Sequence, residues 1–201
     1  MHNGYVADFL AISRDVCELI DDDAYANISG TTDSEHVAAL YITYLTSGKG
    51  KASWEEQYST AEMSAALHKT MGSIVKIQRE KLGDRAQPNS LNVAATDGSQ
   101  LVAFRCRNHA IEQPPSLYYS TKAGVTMNRK YPDHPDGLEN PMARKKAEEH
   151  GNHIIVASEP STYKKQDWTL IEKNYCIMVE KNGKVVVEAV EYPEEWNATV
   201  N

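Results

Sequence analysis

With 201 residues, 41% of them hydrophobic and 24% charged, the chain is long enough for one domain with a substantial core and falls outside the disordered class. A net charge of -7 argues against nucleic acid or an anionic membrane as the main partner. No apolar run approaches the ~20 residues that span a bilayer, and the N-terminus lacks the basic, apolar, small-residue order of a secretory signal.

Three cysteines, Cys17, Cys106 and Cys176, are widely spaced, odd in number and flanked by apolar residues. They read as structural thiols in a reducing compartment, so a cytoplasmic location is expected. His2-Asn3-Gly4 opens the chain. It supplies a side-chain amide donor beside a glycine whose backbone can approach a ligand, the parts of an oxyanion hole; Asn-Gly is also a turn signal. Over residues 6–20 the apolar positions Val6, Phe9, Ile12, Val16, Leu19 and Ile20 recur at three- and four-residue steps, which predicts an amphipathic helix. Asp21, Asp22 and Asp23 would oppose its C-terminal dipole and are expected to begin a loop.

Thr32 and Glu35, three apart and just before Val37, Ala38, Leu40 and Tyr41, form a capping-box signature. That puts Asp33 at the first helical position of a helix running to about Leu45, stopped by Ser47-Gly48-Lys49-Gly50. A carboxylate there is stabilised as an anion by free N–H groups and the helix dipole, and aimed out of the helix end it could receive an ammonium group. It is equally a feature of an ordinary capped helix. A second capping box, Ser59 with Glu62, opens the longest helical pattern, which Gly83 closes. Residues 84–89, with Pro88, read as a linker.

After Pro88 the period becomes strand-like. Residues 91–96 and 101–107 flank Asp97-Gly98-Ser99-Gln100 as a hairpin. Further strands are predicted at 117–121, 153–158, 175–180 and 185–192, the last two joined by Asn182-Gly183. The plan is a single α+β domain over 1–201, helical over about 5–83 and antiparallel over about 90–192. A long loop interrupts it over about 124–151, with a short helix conceivable over 141–150. Asp133, His134 and Asp136, or His150 with His153, lack the pattern of a metal site and read as solvated loop. Asn27-Ile28-Ser29 and Asn197-Ala198-Thr199 match glycosylation acceptors by chance, no secretory signal being present.

Taken in order, His2-Asn3-Gly4 and Thr32-Asp33-Ser34-Glu35 resemble the class II, N-terminal-nucleophile glutamine amidotransferases. The resemblance extends through Leu91-Asn92-Val93-Ala94-Ala95-Thr96-Asp97-Gly98, Glu112-Gln113-Pro114-Pro115-Ser116-Leu117-Tyr118-Tyr119-Ser120-Thr121 and Val156-Ala157-Ser158-Glu159-Pro160, with Trp168, Ile171 and Asn174. In these the chain looks most like the DUG-type fungal amidotransferase subunit of glutathione degradation and its bacterial relatives. The resemblance implies an αββα sandwich and hydrolysis of a γ-glutamyl amide of glutamine or glutathione, without a cofactor. It also implies a metallopeptidase-like partner subunit. Asn3 and Gly4 would form the oxyanion hole, and Asp33 would bind the substrate's α-amino group.

The chain departs from the family at its start. Family members expose a cysteine after the initiator methionine as the nucleophile, where this chain has His2, and carry a carboxylate-binding arginine upstream of His-Asn-Gly. Met1 therefore looks like an internal methionine, and the chain like a domain without its first strands, nucleophile and arginine, inactive as it stands. The alternatives are a non-catalytic binding subunit of the same fold and the related γ-glutamyl hydrolase of ergothioneine biosynthesis.

Overall fold

Alternation of apolar and polar residues over 90–107 gives two strands whose one face can be buried by helices, and the chain uses its first half to supply those helices. The computed structural model describes residues 1–127, 153–191, 196 and 198. It divides into two units, one made of Met1–Pro115 with Lys173–Asn201, the other of Ser116–Glu172.

The first unit holds β1 (His2–Tyr5), α1 (Phe9–Cys17), α2 (Asp22–Tyr25), α3 (Asp33–Leu45), α4 (Thr60–Leu82), β2 (Ser90–Thr96) and β3 (Leu101–Arg107). Beyond the second unit, whose own elements are β4 (Tyr118–Ser120), α5 (Ala123–Met127), β5 (Ile155–Ala157) and β6 (Thr169–Leu170), it continues with β7 (Tyr175–Val179) and β8 (Val185–Ala189). The larger sheet has the order β1-β2-β3-β7-β8, with every neighbour antiparallel. In the second unit β4 lies between β5 and β6.

Helix ends follow local chemistry. Ser59 and Glu62 make both halves of a capping box on α4, and Gly83 (φ 56) ends it. Thr32 caps α3 through the Glu35 N–H, but the Glu35 carboxylate reaches back to the Gly30 N–H at 3.1 Å instead of the Thr32 N–H. Three features differ from the sequence expectations. His2–Tyr5, where the sequence offered a turn leading into the helical part from about residue 5, is a strand, because its backbone pairs with β2 from His2↔Val93 to Tyr5↔Ser90. Asp21 caps the short α2 by accepting from the Ala24 N–H at 3.0 Å, so the acidic run starts a helix, where its charge is favourable. Gly124 belongs to α5. The 141–150 helix, Asp133, His134, Asp136, His150 and Asn197 lie outside the described residues.

One face of the larger sheet presents Leu91, Val93, Val102, Phe104, Cys106, Cys176 and Met178 to Ile12, Val16, Leu40, Leu67, Met71 and Ile74 of the helices. Phe104, Ile12, Leu40 and Ile74 are essentially inaccessible, and burial at that level stabilises by about 1.5–3 kcal/mol per side chain. The opposite face carries the alternate residues, among them the register row Asn3, Asn92, Arg105 and Tyr175.

Candidate functional site

β1 is an edge strand, held on one side by β2, so half of its backbone groups point away from the sheet. Gly4 occupies its middle at φ 152, and a Cβ there would run into the Ser90 carbonyl. Only glycine lets β1 lie this close to β2.

The strand end is fixed by α3. Asp33 Oδ2 accepts the Val6 N–H at 2.7 Å, and Oδ1 accepts from the Ser34 hydroxyl at 3.3 Å. The carboxylate is therefore not simply aimed out of the helix end, as the sequence suggested; it ties α3 to the residue two places beyond Gly4. A carboxylate offers about four acceptor positions, so two more remain for an incoming cation. Beside it, His2 Nδ1 and Ser34 Oγ share a hydrogen bond of 2.8 Å. The His2 Nε2 is buried against the Ser90 carbonyl without a well-aligned bond. Burial pushes the His2 pKa down, and the Asp33 charge and the Ser90 carbonyl partly offset that. His36, one turn on, bonds the Thr32 carbonyl through Nδ1 at 2.8 Å and packs edge-on against Phe9. The α3 N-terminus is thus held by the Val6 N–H and by the side chains of His2 and Phe9.

Asn3 sits on β1 with its side chain, by register, on the sheet face of Asn92 and Arg105. There Asn92 Nδ2 and Arg105 Nε both donate to the Pro115 carbonyl at 2.9 Å, and Arg105 Nη2 donates to the Pro114 carbonyl at 2.9 Å. A buried arginine thus anchors the Pro114-Pro115 segment. The structure brings Gly4 and Asp33 to one end of β1 and places the Asn3 side chain on the other sheet face. Sequence reasoning missed the His2–Ser34 pair and the Asn92–Arg105 clamp. The second was signalled by Asn92 and Arg105, each set between apolar neighbours in its strand.

None of the cysteines is poised as a nucleophile. Burial pushes the Cys106 thiol pKa far up, with Cys176 adding to it; burial also raises Cys176 and Cys17. Among the described residues no group of three His, Cys, Asp or Glu is placed to hold a metal ion, and no helix is long and apolar enough to cross a membrane.

No family model matches the chain. In sequence it is 28% identical over 184 residues to a protein of Saccharomyces cerevisiae described as probable glutamine amidotransferase DUG3, covering 90% of this chain and 49% of that protein. The chain spans about half the length of that curated relative. In structure it superposes with a TM-score of 0.63 on a glutamine aminotransferase class-II domain protein from Silicibacter pomeroyi. That match has 22% identity and covers 94% of this chain and 66% of the other. The chain is therefore similar in sequence to a glutamine amidotransferase and shares a mixed α/β fold with a class II domain protein.

Proposed function

We propose that this chain carries part of the site of a class II glutamine amidotransferase-like γ-glutamyl amide hydrolase, built on an αββα N-terminal-nucleophile sandwich. The observation that carries the reading is the Val6 N–H to Asp33 bond. It brings the helix start of the Thr-Asp-Ser-Glu motif to the end of the strand bearing Asn3-Gly4, two motifs 30 residues apart in a chain similar to an amidotransferase. In this reading Asp33 receives the α-ammonium of a γ-glutamyl group lying across the free edge of β1, and the Gly4 N–H, joined from the opposite sheet face by Asn3, stabilises the oxyanion formed when a thiolate attacks the γ-carbonyl. The attacking thiolate in this reading is that of an exposed N-terminal cysteine, the nucleophile the resemblance implies, where the given sequence has His2. Glutamine and glutathione are the proposed substrates, and a metallopeptidase-like subunit the proposed partner.

Two proteins test the reading: the 201-residue chain, and the same chain extended at its N-terminus by a segment bearing an exposed cysteine and an arginine. Glutamate release from glutamine or glutathione should appear only in the extended form and vanish when the added cysteine is changed to alanine. Release by the shorter chain, abolished by a substitution within it, would overturn the assignment of the nucleophile. The second reading is a non-catalytic binding subunit of the same fold. It predicts that the extended form stays inactive while still retaining a partner protein.

A further inference from the structure

Away from Asp33, one face of α4 carries a groove of about 480 Å³ whose lining includes His68, Lys69, Ser73, Lys76, Arg79 and Trp196. The Trp196 indole forms one wall. It lies over Gly72, where a Cβ would come within 2.7 Å of the ring, and it stacks on His68 at 5.1 Å between centroids. His68 is held in turn by the Glu191 carbonyl at 2.5 Å through Nε2. Lys69 rests over the Tyr44 ring at 4.2 Å, and the Tyr44 hydroxyl bonds Ser73 at 2.8 Å. The wall and one rim are therefore fixed by specific contacts.

Among the described residues that line the groove positive charge prevails, in a chain of net charge -7. Among these described lining residues Lys69, Lys76 and Arg79 face one acid, Glu80, whose carboxylate lies 3.8 Å from the Lys76 ammonium. Arg79 Nη1 is buried and has no hydrogen-bond partner among the described residues. Favourable interaction with the helix dipole explains a basic residue in the last turn of α4, but a solvated side chain such as Lys81, which reaches Asp15, would serve that need. It does not explain a guanidinium nitrogen withdrawn from water and left unbonded, an arrangement that costs stability unless an acceptor arrives.

We propose that this groove binds a small molecule bearing a phosphate or carboxylate group, with the half-buried Arg79 as the anchor and Lys69 and Lys76 at the rim. The groove volume is in the range of small-ligand sites, and an oxyanion drawing the Arg79 guanidinium toward the groove would give its N–H groups charge-assisted bonds that Nη1 otherwise lacks. The inference is independent of the amidotransferase reading, because none of its residues belongs to the Asp33 site.

Calorimetric titration of the full chain with inorganic phosphate and, separately, with glutarate tests it, against sodium chloride at matched ionic strength. Saturable binding of either is expected, and which of the two binds assigns the anion class. Arg79→Gln should weaken that binding at least ~10-fold, whereas Lys184→Gln, on the β7–β8 hairpin, should leave it unchanged. Absence of binding beyond the chloride control, or equal affinity in Arg79→Gln, overturns the proposal. Should Arg79→Gln fail to fold, Lys69→Gln combined with Lys76→Gln replaces two exposed side chains. Weakened binding there supports the site, and undiminished binding overturns it.

Discussion

The Asp33 carboxylate has a structural partner, the Val6 N–H, alongside its proposed substrate, and two substitutions separate these roles. Asp33→Asn keeps an oxygen acceptor for Val6 but loses the charge. In the cysteine-bearing form it should lower kcat/KM by about 10- to 100-fold, or ~1.5–3 kcal/mol, with little change in urea midpoint. Asp33→Ala removes both and should also destabilise the fold by ~1–2 kcal/mol. Glu35→Gln should do far less to activity. If Asp33→Asn and Glu35→Gln cost activity equally, the carboxylate belongs to the helix alone. His2 adds a pH dependence. Burial holds its pKa below the ordinary 6.5 in the folded state, so below pH 6.5 the unfolded chain binds more protons than the folded one. Its contribution to stability is complete above pH 6.5 and is lost as pH falls through the lowered folded value. Urea midpoints of the wild type should fall over that interval more steeply than those of His2→Gln; parallel curves would show that His2 does not couple protonation to folding.

At the scale of elements, α4 depends on its start and on one glycine. Ser59→Ala, which breaks the capping box, should cost ~1 kcal/mol in chemical denaturation. Gly72→Ala would gain helix propensity of up to ~1 kcal/mol, but its methyl collides with Trp196. Loss of the indole's near-ultraviolet dichroism at unchanged or higher midpoint is the expected outcome. The elements most legible in the sequence were those governed by neighbours: the capped starts of α3 and α4, and the β2–β3 hairpin. In that hairpin Asp97 accepts from the Ser99 and Gln100 N–H groups at 2.8 Å. Although burial pushes its carboxyl up, these bonds and those from the side chains of Gln100 and Ser99 hold it well below the usual range. What escaped the sequence depends on distant partners. β1 is too short to announce itself and exists because β2 lies alongside, and β6, with Thr169 and Leu170 alone, has no period to detect. Likewise Asp33 was recognisable as a first-turn acid, but nothing local pointed to Val6 as its partner.

At the scale of the whole molecule, the larger sheet gathers strands from both ends of the chain, with β7 and β8 joining after the second unit has been traversed. The 201-residue chain should accordingly carry the proposed oxyanion and ammonium sites yet release no glutamate, a result read directly in a coupled glutamate assay. The position of β1 also bears on how the protein folds. The β2–β3 hairpin closes through a four-residue turn, whereas β1 must bring His2 to Val93 across the entire helical region. Closing so long a loop is entropically costly and is rewarded late. β1 should therefore dock after the hairpin and helices have formed, and it should be the first segment to detach. Asp33→Ala ought to accelerate unfolding while leaving the refolding rate nearly unchanged, a φ-value near zero, whereas a truncation at Phe104 should slow refolding. Hydrogen exchange gives the same order in the native state: the Val6 amide should exchange through local opening at free energies well below those of the β3 amides.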